Sequence, residues 1–161
     1  MTAGGADALT LPPPQASFIW HCAWLSVPSA IYAATRPSTA NFAGGFVPAS
    51  VWATSLLYWR HPLRNSWRRT LDIVTVVTGI SYQSYYAFQT IRHTSPPHFA
   101  GYTALITASA ACYGLSVYLM NRGHIWPSTY AHASIHLLAN MANVVLYQAP
   151  VEMKVDVTMI Q

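Results

Sequence analysis

Between residues 16 and 147 one pattern recurs five times: about twenty residues almost free of charge, then a short break marked by proline or arginine. The stretches lie near 16–35, 42–60, 71–91, 99–120 and 128–147, with Pro37, Pro62, the Pro96-Pro97 pair and Pro127 in the gaps. A helix rises about 1.5 Å per residue, so about 20 residues cross a hydrocarbon layer of about 30 Å. Proline cannot continue a helix, and short links make successive helices antiparallel neighbours. The pattern therefore predicts an all-α fold, an integral membrane bundle of about five transmembrane helices with short loops. An irregular N-terminal tail, 1–15, and a C-terminal tail, 148–161, flank it.

Composition supports that expectation. Hydrophobic residues make up 53% of the chain and charged residues 7%, against about 25% charged residues in a soluble domain. So few charges cannot clothe a water-facing surface. The mean hydropathy of +0.27 is modest because Tyr, Trp, Thr, Ser and His dilute the aliphatic residues. Cys22 and Cys112 fall inside apolar stretches and read as structural thiols.

Charge placement speaks of topology. With five spans, Arg60, Arg64, Arg68, Arg69 and Arg122 share the face of the N-terminus, and Arg36, Arg92 and Lys154 take the other. The positive-inside bias puts the N-terminus on the cytoplasmic or matrix side. Trp20, Trp24, Trp59, Trp67 and Trp126 belong to that same face as headgroup anchors, and Tyr85, Tyr86, Phe99 and Tyr102 to the opposite one. The tail before residue 16 has no Lys or Arg, which argues against a secretory signal or an Arg-rich transit peptide and for a retained first span. Arg60, Arg64, Arg68 and Arg69, interleaved with Trp59 and Trp67, suit anionic lipid headgroups, cardiolipin included. A net charge of +4 carries no nucleic-acid signature.

Two spans carry polar stripes. In the last, His132, His136, Asn140, Asn143 and Tyr147 fall within about 80° of arc. In the third, Asp72, Thr75, Gly79, Tyr82, Gln83 and Tyr86 lie within about 100°. Polar groups in hydrocarbon are costly without partners, so both stripes are expected to face protein or a wet cavity. The fourth span repeats small residues every four positions, Thr103-Thr107-Ala111, Ala104-Ala108 and Ala110-Gly114. Such faces let membrane helices approach closely, within the chain or against a partner.

His61, Asp72, His132 and His136 are placed by alternation at one end of the bundle. Histidines at i and i+4 project together, and three imidazoles with a carboxylate suit zinc. Arg68 and Arg69, one helical turn before Asp72, offer it a local ion pair as a purely structural alternative. The spacing from His61 to Asp72, followed by HASIH at His132 to His136, resembles the CREST superfamily of membrane hydrolases, which includes alkaline ceramidases and adiponectin-type receptors. The resemblance implies zinc on His61, His132 and His136, a serine close by, and Asp72 orienting a metal-bound water that cleaves a lipid amide. Leu57 stands where the family has its serine, with Ser55 the nearest hydroxyl. The family also has seven helices.

A chain that is nearly all span, with short loops, reads first as an accessory or assembly subunit of a larger membrane complex, without a cofactor. An energy-transducing complex of an organellar inner membrane, mitochondrial in preference to endoplasmic reticulum, is the setting expected. The alternatives are the zinc-dependent lipid amide hydrolase, and a small transporter or proton-path component using the stripe from His132 to Tyr147.

Overall fold

The computed structural model describes residues 8–35 and 39–150, with side chains in the second segment from residue 44 onward. Five helical rods make up nearly all of it, and no strand occurs among the described residues. The first rod runs without interruption through Pro13–Cys22, a tight 3-10 turn at Ala23–Leu25, and Ser26–Ala34. The second is Thr39–Trp59. The third starts at Trp67–Tyr86, widens into a π turn at Ala87–Ile91, and closes with Arg92–Thr94. Pro96–Asn121 and Ile125–Gln148 form the fourth and fifth.

The rods match the expected stretches in number and order, but all five begin three or four residues earlier. Pro13, the Pro96-Pro97 pair and Pro127 start helices rather than separate them. In the first turn the backbone N–H has no intrahelical partner, so proline loses nothing there and its fixed φ favours the helix. The third rod starts at Trp67 because the Ser66 hydroxyl caps it, accepting from the Arg69 N–H at 3.3 Å.

Within the tail, residues 13–15 are helical, and residues 8–10 are held in place without forming a strand. The Thr10 N–H donates to the Pro62 carbonyl at 2.7 Å and the Arg64 N–H to the Ala8 carbonyl at 3.0 Å, which sets Leu9 opposite Leu63 as an antiparallel bridge. Residues 8–10 are thereby pinned to the link between the second and third rods. Residues 1–7 of the tail, Arg36, Pro37 and Lys154 of the topology argument, and the C-terminal tail past 150 lie outside the described residues.

The fourth and fifth rods pack along each other, and the second lies against both the first and the third. Ser116 and Ser128 clamp the first pair, each hydroxyl donating to the other's carbonyl, at 3.0 and 2.8 Å. Gly79 lets the third rod close on the second, since a Cβ there would stand 2.6 Å from Val47 Cγ1.

The interior is unusually polar. Ser26, Ser29, Ser55, Gln83, Thr129, His136, Asn140 and Asn143 are buried, whereas Ile31, Phe46, Val74, Val77, Phe88, Leu115 and Leu137 are exposed. Polar residues thus share the core with buried apolar ones such as Ile19, Ile91, Tyr102 and Leu146, more than is usual for a soluble domain. By length and composition, the fourth rod alone among the described residues is apolar enough to cross a membrane. In the others, a 3-10 turn divides the first, and hydroxyl, imidazole and charged groups lower the rest.

Candidate functional site

The stripe on the fifth rod is a seam of hydrogen bonds to three other rods. At its C-terminal end the Tyr147 hydroxyl donates to the Gly44 carbonyl at 2.6 Å and accepts from Gln83 Nε2 at 2.7 Å. The reason lies in the second rod. Pro48 stands four residues after Gly44 and has no N–H, so the Gly44 carbonyl loses its helical donor. Tyr147 supplies the missing proton from a neighbouring rod. Gly44 also gives the ring room: a Cβ at that position would meet Tyr147 Cε1 at 2.8 Å. Gln83 is where the third-rod stripe reaches the fifth rod.

About two turns earlier, Asn140 joins the fifth rod to the first. Its Oδ1 accepts from Ser29 at 2.5 Å, and its Nδ2 donates to Ser26 Oγ at 3.1 Å and to the His136 carbonyl at 2.7 Å. All four residues are buried. Further along, His132 and His136 meet edge to face with ring centroids 5.8 Å apart, and Trp59 of the second rod covers His132 at 5.0 Å. His136 Nε2 and Trp52 Nε1 are buried with no partner among the described residues.

Asp72 and Gly79 of the third-rod stripe serve the second rod. Asp72, the only carboxylate among the described residues, accepts from Ser55 at 2.8 Å and from Thr54 at 3.0 Å through one oxygen. The local ion pair with Arg68 or Arg69 does not form: Arg69 Nη1 donates to the Arg64 carbonyl, and the Arg68 guanidinium lies over the Trp67 ring. Tyr82 is exposed, and the Tyr86 hydroxyl is buried without a partner. Asp72→Leu is expected to cost about 1–2 kcal/mol, because the buried Ser55 hydroxyl loses its acceptor. Asp72→Asn keeps an oxygen there and is expected to cost less than half as much. The midpoint of unfolding in a denaturing-detergent titration of purified protein checks both.

The predicted zinc ligands are not gathered. His132 and His136 are paired, but His61 is exposed at the end of the bundle beside Arg60, and Asp72 is engaged by hydroxyls. Among the described residues no three of His, Cys, Asp or Glu stand close enough to hold a metal. The arrangement thus shows no gathered three-ligand set among the described residues. It does bring Ser55 onto Asp72, although Ser55 is two residues from the position that the family pattern uses.

The basic end is a different sort of site. The pinned tail, the start of the first rod and the end of the second line a half-open cavity of about 430 Å³. Leu9, Leu11, Ala16, Trp20 and Trp59 line it, with Arg60 and His61 among its walls. Trp59 is part of the apolar cluster beneath, with Leu11, Ile19 and Tyr58. Trp67 is exposed, as anchors are expected to be. Trp24 is exposed as well, and its ring meets Trp20 at 6.0 Å and Trp52 at 5.2 Å edge to face.

Several participants carried no sequence signal strong enough to single them out. Ser26 and Ser29 are one turn apart in an apolar stretch, and their spacing is the only hint. Gly44 and Pro48 had a more specific signature, since proline inside a helix orphans the carbonyl four residues before it. Leu9 and Leu11 sit in a tail whose prolines suggested irregular chain. Compared with known proteins, the chain matches no family model, no curated protein and no solved structure.

Proposed function

We propose that the chain is a five-span integral membrane protein that serves as an accessory or assembly subunit of a larger membrane complex, in an organellar inner membrane. The observation that carries this reading is the fourth rod. It is 26 residues long, apolar enough to cross a bilayer, and only 11% of its apolar window is buried by the rest of the chain. Its outward side holds Thr103, Ala104, Thr107, Ala110, Ala111 and Gly114, together with the exposed Tyr113, Leu115 and Val117. The small residues noted in the sequence therefore remain largely unused within the chain, where Ser109 and Ser116 take the buried positions. A bare small-residue face in lipid suits close approach of another helix. Polar groups hidden between rods and aliphatic groups turned outward suit the same environment.

The test is extraction followed by native sizing. The chain should remain with membranes after alkaline carbonate washing and migrate, in mild detergent, in an assembly several times larger than its own 17.7 kDa. Thr107→Trp together with Ala111→Trp, on the bare face, should reduce that assembly at least tenfold and leave the chain in the membrane. Release by carbonate would overturn the membrane reading; wild-type migration as a monomer would overturn the subunit reading alone.

The zinc-dependent hydrolase is a second reading, favoured by one observation, the contact of Ser55 with Asp72 at 2.8 Å. Stoichiometric zinc in purified protein, lost in His132→Ala with His136→Ala, would support it. Zinc-free protein that hydrolyses no lipid amide would reject it.

A further inference from the structure

We propose that the cavity at the basic end is a binding site for one anionic phospholipid, with its phosphate at Arg60 and His61 and the upper part of an acyl chain against Leu9, Leu11 and Trp20. The proposal rests on the membrane reading above and names a defined site within the broader basic end. Three observations converge on it.

The first is the volume. About 430 Å³ falls within the range of about 300–1,000 Å³ typical of small-ligand pockets. The walls are aliphatic and indole groups, which suit hydrocarbon rather than a free inorganic ion.

The second is the charge. Arg60, Arg64, Arg68 and Arg69 lie on the ten residues around the link, and the only described carboxylate nearby already accepts from Ser55 and Thr54. Among the described residues four arginines stand against one carboxylate there, which leaves a net positive potential. Arginine binds phosphate through a planar fork of donors, and histidine adds at least one ring N–H. A zwitterionic lipid would answer that potential less well than an anionic one.

The third is the frame. One wall would otherwise be free chain, but residues 8–10 are fixed by the two backbone bonds to Pro62 and Arg64, and the Thr10 and Tyr58 hydroxyls meet at 2.8 Å. The site is thus built by the fold, on an apolar floor of Leu11, Ala16 and Trp59 that is buried at 4%, 4% and 5% exposure. Preorganised walls lower the ordering cost of binding.

The experiment uses the full chain in bilayer discs of phosphatidylcholine containing phosphatidylglycerol, with bound lipid counted by native mass spectrometry. One phosphatidylglycerol should be retained per chain. Arg60→Gln should weaken retention about fivefold, the fold-change corresponding to about 1 kcal/mol per basic residue near a membrane surface. Ser17→Trp, which places an indole in the cavity from an exposed lining position, should weaken it at least tenfold. Arg122→Gln, in a different link at the same end, should leave retention unchanged. Glycerol phosphate at millimolar concentration should not displace the lipid.

Equal losses in Arg60→Gln and Arg122→Gln would mean diffuse surface charge and overturn the site. Displacement by glycerol phosphate would identify a free-phosphate site and overturn the lipid assignment. Protein that enters the discs and keeps no anionic lipid refutes this proposal alone. Protein that fails to enter pure phosphatidylcholine discs refutes the membrane reading as well. Should Ser17→Trp fail to fold, the two arginine variants still decide the matter.

Discussion

Gly44→Leu is expected to cost about 2–4 kcal/mol of bundle stability, the largest effect of any single substitution considered. The Tyr147 ring lies 2.8 Å from where the new Cβ would stand. Overpacking of this kind costs about 1–3 kcal/mol. Moving the ring also breaks the bonds from its hydroxyl to the Gly44 carbonyl and from Gln83, leaving buried groups unpaired. A double-mutant cycle isolates the electrostatic part. Tyr147→Phe removes only the hydroxyl and is expected to cost about 1–2 kcal/mol. In a Pro48→Ala background residue 48 regains an N–H that can bond to Gly44, so the same Tyr147→Phe change should cost about half as much. Additive effects of the two substitutions, measured by detergent-denaturation midpoints followed through tryptophan fluorescence, would show that Tyr147 does not compensate for Pro48.

Asn140→Leu should produce the next largest effect, about 2 kcal/mol. Asn140 holds Ser26 and Ser29 of the first rod through three bonds that also involve the His136 carbonyl. Leucine would leave the Ser26 hydroxyl without its amide donor, while Ser29 would keep a second bond to the Ser26 carbonyl at 3.0 Å. Ser29→Ala should therefore be clearly destabilising in the natural chain and nearly silent once Asn140 is leucine. An unchanged midpoint for Asn140→Leu, combined with loss of proton or solute flux in reconstituted vesicles, would move the stripe from packing to transport. Loss of stability without any flux in the natural protein would support the structural role.

The membrane-facing and partner-facing proposals separate experimentally from these internal ones. Thr107→Trp and Ala111→Trp alter the bare side of the fourth rod, and Arg60→Gln alters the cavity at the basic end, without touching the seam. A chain whose seam variants lose stability but whose face variants keep the complex would be a sound bundle with the wrong partner surface. The reverse result would place the interface correctly and assign the seam little energetic weight.

The sequence by itself determined the five helical stretches, their order and the gathering of arginines with tryptophans at one end. These follow from local causes: the length of each apolar run, proline and serine at helix starts, and alternation through short links. Helical hydrogen bonds close within four residues, so a window of sequence contains their whole cause. The stripe on the fifth rod was likewise legible, because side-chain direction along one helix repeats with a known period. Only the tertiary structure decided what each stripe meets. Periodicity says which side of a rod is polar, but not how far that rod is turned or shifted relative to its neighbours. Those two quantities put Asp72 on Ser55 and not on an arginine, Asn140 on the first rod, Tyr147 under Gly44, and His61 apart from His132 and His136. They are set by the packing of all five rods at once, which no single stretch of chain encodes.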